Sequence, residues 1–165
     1  MKPLRSAPLA LMLLVGGAQA NASLELPEID HVVVRKGART ITLYAQGQAV
    51  HAITGIQLGD APAGPKRFQG DERTPEGRYL IDYGNPQSSY YLSLHISYPN
   101  ARDVAYATAQ GRSPGGQIFI HGQPNGWRAG RAPGDWTDGC IAVSNEEIEV
   151  LWQTVPDGTV IDILP

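Results

Sequence analysis

Residues 136–143 read Trp-Thr-Asp-Gly-Cys-Ile-Ala-Val, a tight glycine turn that leads into a short apolar segment. The cysteine in this stretch, Cys140, is the only one in the chain. Nineteen positions earlier, His121 ends the apolar stretch Ile-Phe-Ile-His at residues 118–121 and is followed by Gly122. A thiol and an imidazole that each stand at the edge of a short apolar strand, next to a glycine, suggest a Cys–His nucleophile pair.

The first twenty residues have the pattern of an export signal. Lys2 and Arg5 form a basic region, residues 9–15 are apolar, and Ala-Gln-Ala at 18–20 is a small-residue cleavage site. We therefore expect residues 1–20 to be a cleaved signal peptide and residues 21–165 to be a single domain, periplasmic or secreted. The apolar run is too short to span a bilayer, so no stable membrane span is expected after cleavage. A single cysteine in an exported chain is an intermolecular link or a free, reactive thiol.

Composition places the chain among globular proteins. Its 165 residues are 42% hydrophobic and 18% charged, which fits one domain with a substantial core. The net charge is −3, and loss of residues 1–20 would remove Lys2 and Arg5 but no acid. Phosphate binding needs a basic face, so we do not expect a nucleic acid partner. No cofactor or metal is expected either.

Most of the chain after the signal alternates short strand patterns with turns. A β-branched run at 31–35 and a period-two alternation at 40–44 predict strands. Further strands are predicted at 49–58, 78–83, 90–98, 117–121, 140–143 and 159–164. A short helix is predicted at 100–110, and the capping-box spacing of Ser144 and Glu147 predicts a second helix at 145–155. The pattern predicts a mainly β fold, a sandwich or closed sheet with one or two short helices.

Two long loops interrupt this pattern, at 59–77 and at 122–138. Loops of this length without structure of their own are uncommon and often functional. The second loop joins His121 to Cys140, so both loops are candidate substrate walls. The candidate substrate-binding residues are Gly122, Thr137, Asp138, Trp136, Arg73 and Arg128.

The chemistry of such a site needs three further elements. The thiol reacts as a thiolate, so His121 must take its proton and later return one to a leaving amine. The oxyanion that forms needs preorganised donors, for which the backbone N–H groups of Gly139 and Cys140 are candidates. The second imidazole nitrogen needs an acceptor that orients the ring. A backbone carbonyl in the loop or Asp138 could serve.

The spacing of these residues resembles a known family. His121, fifteen residues, and then Thr-Asp-Gly-Cys at 137–140 are similar to the His-x(14–17)-[Ser/Thr]-x-Gly-Cys signature of the L,D-transpeptidase catalytic domain (YkuD domain). Residues 74–77, Thr-Pro-Glu-Gly, resemble its upstream Thr-Pro-x-Gly segment. Residues 94–100 and 139–143 further resemble the YafK-like branch of the family. The resemblance covers roughly Val32 to Pro165.

The resemblance implies a β-rich fold and a cysteine enzyme of bacterial peptidoglycan, with a role in cell-wall biogenesis and cell shape. Family members attack the stem peptide at the L-centre of a diamino acid that precedes a D-residue, and they form a thioester, here at Cys140. An amine acceptor gives a crosslink or an attached protein, and water gives hydrolysis. We therefore expect a transpeptidase that acts on stem peptides, with a wall-attached protein as a further candidate partner. An L,D-endopeptidase or amidase-type hydrolase is the alternative.

Two residues depart from the family pattern. Asp138 stands where the family usually has histidine, and Ala142 stands where it usually has arginine. Both departures leave the nucleophile and the base in place, but they leave the acceptor open.

Two other classes of function remain as alternatives. One is a wall-binding module without catalysis. The other is a zinc site built from Cys140, His121 and one of His31, His51 or His95. The closely spaced ligand pairs typical of zinc sites are missing from the sequence, which disfavours the zinc alternative.

Overall fold

The computed structural model describes residues 26–165, and the predicted signal peptide lies outside the described residues. Eight strands and two helices follow one another along this part of the chain. They are β1 (His31–Arg35), β2 (Thr40–Ala45), β3 (Gln48–Thr54), β4 (Gly77–Asn85), β5 (Ser93–Ile96), α1 (Ala101–Ala109), β6 (Ile118–His121), β7 (Ile141–Ala142), α2 (Asn145–Thr154) and β8 (Thr159–Leu164).

The strands form one sheet in the order β3-β2-β1-β8-β4-β5-β6-β7. The β1–β8 and β6–β7 pairs are parallel. Gln57, just beyond β3, exchanges two backbone hydrogen bonds of 2.9 and 2.8 Å with Ala142 in β7. Because β3 and β7 are the two outermost strands, these bonds mean that the sheet curls until its edges meet. The prediction of a mainly β, closed sheet with short helices is confirmed.

The apolar residues of the strands explain the core. Along β2 and β8 the buried and half-buried positions alternate, as period-two strands with one core face should. Their inward side chains include Ile41, Leu43 and Ile161, all fully buried. Burial of each such side chain stabilises the fold by roughly 1.5–3 kcal/mol.

Helix α2 begins where the capping box predicts. The Ser144 hydroxyl accepts from the Glu147 N–H at 3.2 Å, and the Glu147 carboxylate accepts from the Ser144 N–H at 2.7 Å. These bonds satisfy backbone donors that the first turn of a helix cannot pair internally. The helix buries Ile148 and Leu151 against the sheet.

Two strands end several residues away from their predicted bounds, and β6 and β7 are shorter than predicted by one or two residues. The third strand ends at Thr54 rather than at residue 58, because Gly55 turns into the left-handed region with φ of +69°. The pattern at 90–98 forms a strand only over Ser93–Ile96, since Tyr91 has φ of +68°. Left-handed backbone cannot continue a strand ladder.

Two buried lysines fix the loop at 59–77. Lys36 donates to the Glu76 carboxylate at 2.8 Å and to the Gly64 carbonyl at 2.6 Å. Lys66 donates to the Asp71 carboxylate at 2.9 Å, and both lysines have side chains only 3% exposed. Buried charges are tolerated only when they are paired in this way. The loop is therefore a fixed wall next to the turn that carries Cys140.

Candidate active site

Cys140 and His121 lie on one face of the sheet. The parallel pairing of β6 with β7 sets Ile120 opposite Ile141 and His121 opposite Ala142. Cys140, one residue before β7, therefore stands opposite Phe119. Side chains alternate between the faces of a strand, so the thiol and the imidazole share the face turned away from buried Ile120. Although they are nineteen positions apart in the sequence, Cys140 and His121 are therefore diagonal neighbours on two adjacent strands.

The turn before Cys140 requires its glycine. Gly139 has φ of +119°, and a Cβ on this residue would lie 2.4 Å from the carbonyl oxygen of Arg73. The Thr137 hydroxyl donates to the Cys140 carbonyl at 2.7 Å and accepts from the Gly139 N–H at 3.2 Å. The described residues give the Cys140 N–H no acceptor. It is therefore free to serve a bound substrate, whereas the Gly139 N–H is occupied.

The sulfur of Cys140 contacts the β6 backbone. The Phe119 N–H donates to Sγ at 3.4 Å, and the thiol donates to the Gln117 carbonyl at 3.6 Å. Burial raises the pKa of the Cys140 thiol and the negative charge of Asp138 adds to this, while the Phe119 N–H and the charge of Lys66 oppose it. The resting thiol is therefore protonated at neutral pH and needs a base.

His121 has the geometry of a neutral imidazole. Its Nδ1 lies 2.7 Å from the carbonyl oxygen of Gly122. Because a carbonyl only accepts, Nδ1 carries the proton and Nε2 keeps a free lone pair. Burial lowers the pKa of His121, and the bond to Gly122 opposes the shift. Of the two orienting acceptors that the sequence left open, the structure has the backbone carbonyl.

Two aromatic rings hold the imidazole. Tyr90 stacks on His121 with ring centroids 4.4 Å apart, and the ring of Trp136 lies 5.6 Å away. The sequence pointed to Trp136 but not to Tyr90. The pairing of Ser93 in β5 with His121 in β6 brings Tyr90 there, and no local pattern at residue 90 signals this contact.

An open cleft of about 1030 Å³ contains both reactive side chains. The imidazole and the thiol line it without a direct hydrogen bond between them. Its other lining residues come from the loop at 59–77, the segment before β5, the turn before β6 and the end of the second loop. They include Lys66, Glu72, Ser93, Gln117, Phe119, Trp136, Thr137 and Asp138.

The other predicted binding residues lie around the cleft rather than along its wall. Gly122 is buried and acts through its bond to His121. Arg73 contributes its backbone carbonyl beside Gly139. Arg128 is exposed in the middle of the second loop. Lys66 and Gln117 were not anticipated, because a lone lysine or glutamine in a loop carries no signal of its own.

The zinc alternative finds no site in the described part of the chain. Within residues 26–165 no three His, Cys, Asp or Glu side chains are grouped closely enough to hold a metal ion. Two of the candidate ligands have carboxylate partners instead, His31 with Asp162 and His95 with Asp82. Across the same range, no helix is long and apolar enough to cross a membrane.

Comparison with protein families shows what kind of domain this is. The family model of the L,D-transpeptidase catalytic domain, YkuD, matches residues 29–163. The chain belongs to this family, as its cysteine block and upstream histidine indicated. The cleft, with a cysteine and a histidine on one face of a curled sheet, is the candidate active site of that domain.

Individual relatives are similar over about half of their own length. YafK of Escherichia coli (strain K12) is 28% identical over 130 residues, which cover 76% of this chain and 46% of YafK. The crystal structure of the helical cell shape determining protein Pgp2 from Campylobacter jejuni is 28% identical, with a TM-score of 0.63, over 83% of this chain and 48% of Pgp2.

A more distant structure shows the same fold. An L,D-transpeptidase from Mycobacterium smegmatis is 15% identical, with a TM-score of 0.53, over 82% of this chain and 58% of that one. At this level of identity the likeness is one of fold alone. This chain therefore shares its fold with a protein of very different sequence.

Proposed function

We propose that this protein is an exported L,D-transpeptidase that attacks peptidoglycan stem peptides with Cys140 and transfers the acyl group to an amine. One observation carries the proposal: a thiol and a neutral imidazole with a free Nε2 share one open cleft. The family of the domain supports this choice of substrate. A relative described as a cell shape determining protein supports a role in wall remodelling.

Acylation begins when a stem peptide enters the cleft. The thiol turns from the Gln117 carbonyl toward His121, and Nε2 takes its proton. The thiolate attacks the carbonyl carbon at the L-centre of the diamino acid, and the Cys140 N–H donates to the oxyanion. Gly139 can add its N–H if Thr137 releases it. The C–N bond then breaks, the leaving amine takes the proton from Nε2, and a thioester remains.

Deacylation runs through the same groups in reverse. The acceptor amine loses a proton to Nε2 and attacks the thioester carbonyl. The C–S bond breaks, and the sulfur recovers the proton from His121. The acceptor belongs to a second stem peptide, or to a wall-attached protein. Trp136, Thr137 and Asp138 border the space in which both substrates must bind.

Hydrolysis is a second candidate, and one observation favours it. Asp138 is exposed, lines the cleft and is close enough for its charge to act on the Cys140 thiol. A carboxylate at this position can hold a water molecule near the thioester. In that case the same acyl-enzyme gives an L,D-endopeptidase or amidase-type product.

The test is to react purified protein with defined muropeptides and an amine acceptor, and to identify all products by mass. Wild type should yield amine-exchanged or crosslinked product together with a hydrolysed share. Cys140→Ala should yield neither, and Cys140→Ser should be nearly as inactive, because a hydroxyl is far less acidic than a thiol. Turnover retained in folded Cys140→Ala would refute the proposal.

A further inference from the structure

An imidazole–carboxylate pair lies beyond Phe119, at one end of the cleft floor. His95 in β5 stands opposite Phe119 in β6 on one side and opposite Tyr83 in β4 on the other. Cys140 stands opposite Phe119 in turn. One row of side chains therefore crosses four strands on the catalytic face of the sheet, from Cys140 to Tyr83. Its far end is formed by Asp82, Tyr83 and His95, which we call the shelf.

A β-bulge builds the shelf. The pairing of β4 with β5 shifts between Ile81 and Tyr83, so Asp82 is an extra residue in the ladder. Asp82 accepts from His95, with its Oδ1 2.6 Å from the imidazole Nδ1. Bulges of this kind redirect a side chain and occur often beside active sites. Here the bulge lets two consecutive residues of β4 contact the same imidazole.

Aromatic rings hold His95 from two sides. Tyr83 stacks on its imidazole at 4.5 Å, and Phe119 meets it edge-on at 4.9 Å. The imidazole itself is 12% exposed, but the Asp82 side chain is 38% exposed and Tyr83 is 41% exposed. The shelf therefore offers solvent a fixed carboxylate and one open aromatic face.

These two groups are complementary to a cation. A carboxylate attracts an ammonium group, and the face of a tyrosine ring adds a cation–π contact. Asp82 and Tyr83 lie in β4, three strand spacings from Cys140, which is about 14 Å. An acceptor that reaches the thioester with one amine can therefore place a second cationic group there.

We propose that the shelf is an acceptor subsite that binds a second ammonium group of a diamine acceptor while its first amine attacks the thioester. The inference rests on the transferase function proposed above. It makes the shelf the part of the site that selects the acceptor. Asp82 supplies the charge, His95 positions Asp82, and Tyr83 covers the methylene chain and the cation. The shelf takes no part in acylation, because the donor thioester forms at the other end of the row.

The experiment compares two acceptors that carry the same reacting amine. They are 1,10-diaminodecane, which is long enough to carry a second cation to the shelf, and 10-amino-1-decanol, with a neutral hydroxyl instead. Wild type should use the diamine about fivefold better in kcat/KM, the effect of one partly exposed cation contact. Asp82→Asn should abolish the preference and leave the rate of thioester formation unchanged. Asp157→Asn, which removes an exposed carboxylate in the turn before β8, should keep the preference.

Equal use of the two acceptors by wild type, or a preference retained in Asp82→Asn, would overturn the inference. If wild type forms no thioester at all, the proposed function fails. A binding measurement on Cys140→Ala then tests separately whether the shelf binds a cation. In Cys140→Ala, 1,10-diaminodecane should shift the NMR signals of the His95 imidazole, and 10-amino-1-decanol should not. Absence of that difference would also reject the shelf as a cation site.

Discussion

The two long loops beside the cleft differ in how firmly the rest of the fold holds them. The loop at 59–77 contains neither Cys140 nor His121, yet it is fixed by buried ion pairs of Lys36 with Glu76 and of Lys66 with Asp71. Its backbone packs against the turn that carries Cys140, since the Arg73 carbonyl fills the space beside Gly139. The rigid loop therefore helps to hold Cys140 in place.

The loop at 122–138 joins the two reactive residues and is anchored on both sides of its middle, residues 126–130. Gln123 bonds to the Val143 carbonyl at 2.7 Å, and Asp135 pairs with Arg39 at 2.6 Å. Between these anchors Trp127 is 42% exposed, and a Cβ added to Gly126 would meet nothing within 4 Å. Cys140 is therefore held from two sides, by the fixed neighbouring loop and by Thr137 at the anchored end of the connecting loop.

The largest loss of turnover should come from a substitution that fills the space between the loop at 59–77 and the turn before Cys140. Gly139→Ala puts a methyl group against the Arg73 carbonyl at a φ unsuited to alanine. We expect about 10²-fold lower turnover, the usual result when a nucleophile is displaced by an ångström. Gly126→Ala is the matched control, with φ of +88° and open space around it. It should cost about 1 kcal/mol of stability and leave turnover unchanged.

Loss of a buried charge in the first loop should lower the stability of the protein more than loss of an exposed charge in the second loop. Lys66→Met leaves the Asp71 carboxylate in the wall without its ion-pair partner. The free energy of unfolding should fall by about 3 kcal/mol, measured by urea denaturation. Arg128→Met in the exposed middle of the second loop should change it by less than about 0.5 kcal/mol. Equal losses in the two variants would mean that the first loop is not the fixed one.

The pH profile should reveal the neutral base. Because burial lowers the pKa of His121, the imidazole stays unprotonated to lower pH than a free histidine. The acid limb of kcat/KM should therefore lie below pH 6.5, the ordinary histidine value. Because the pKa of the Cys140 thiol is raised above its ordinary value of 9.0, the rate of alkylation by iodoacetamide should still be rising at that pH and should level off only above it. An acid limb centred above the ordinary histidine value would contradict this assignment.

The smallest effect concerns the acceptor. Asp138→His replaces the exposed carboxylate at the rim of the cleft with the residue usual in the family. The product ratio should shift toward amine transfer by about twofold, the scale of one exposed charge interaction. The measurement is the ratio of hydrolysed to amine-exchanged product at fixed amine concentration, with Asp157→His as control. An unchanged ratio would show that position 138 does not control the acceptor.

Local patterns predicted the elements well where the local signal was strong. β1 and β8 have the predicted bounds, and the capping box at Ser144 marks the start of α2. The bounds failed at Gly55 and Tyr91, where left-handed backbone ends a strand within an apolar pattern. Such backbone depends on tertiary contacts, which composition and periodicity do not report.

The candidate site divides in the same way. His121 and Cys140 could be singled out because each stands beside a glycine at the end of an apolar stretch. Tyr90 and Lys66 could not, because their places depend on strand pairing and on a loop folding around a buried ion pair. The partner of the His121 Nδ1 was left open for the same reason, since backbone carbonyls carry no sequence signal.

Formation of a thioester on Cys140 with the help of His121 can be observed as an acyl-enzyme. Wild type mixed with a defined muropeptide and quenched in acid should gain the mass of the acyl donor, located by proteolysis on the peptide containing Cys140. His121→Ala should gain it at least about 10²-fold more slowly, and Cys140→Ala should not gain it. An adduct on any other residue, or an unchanged rate in His121→Ala, would contradict the account.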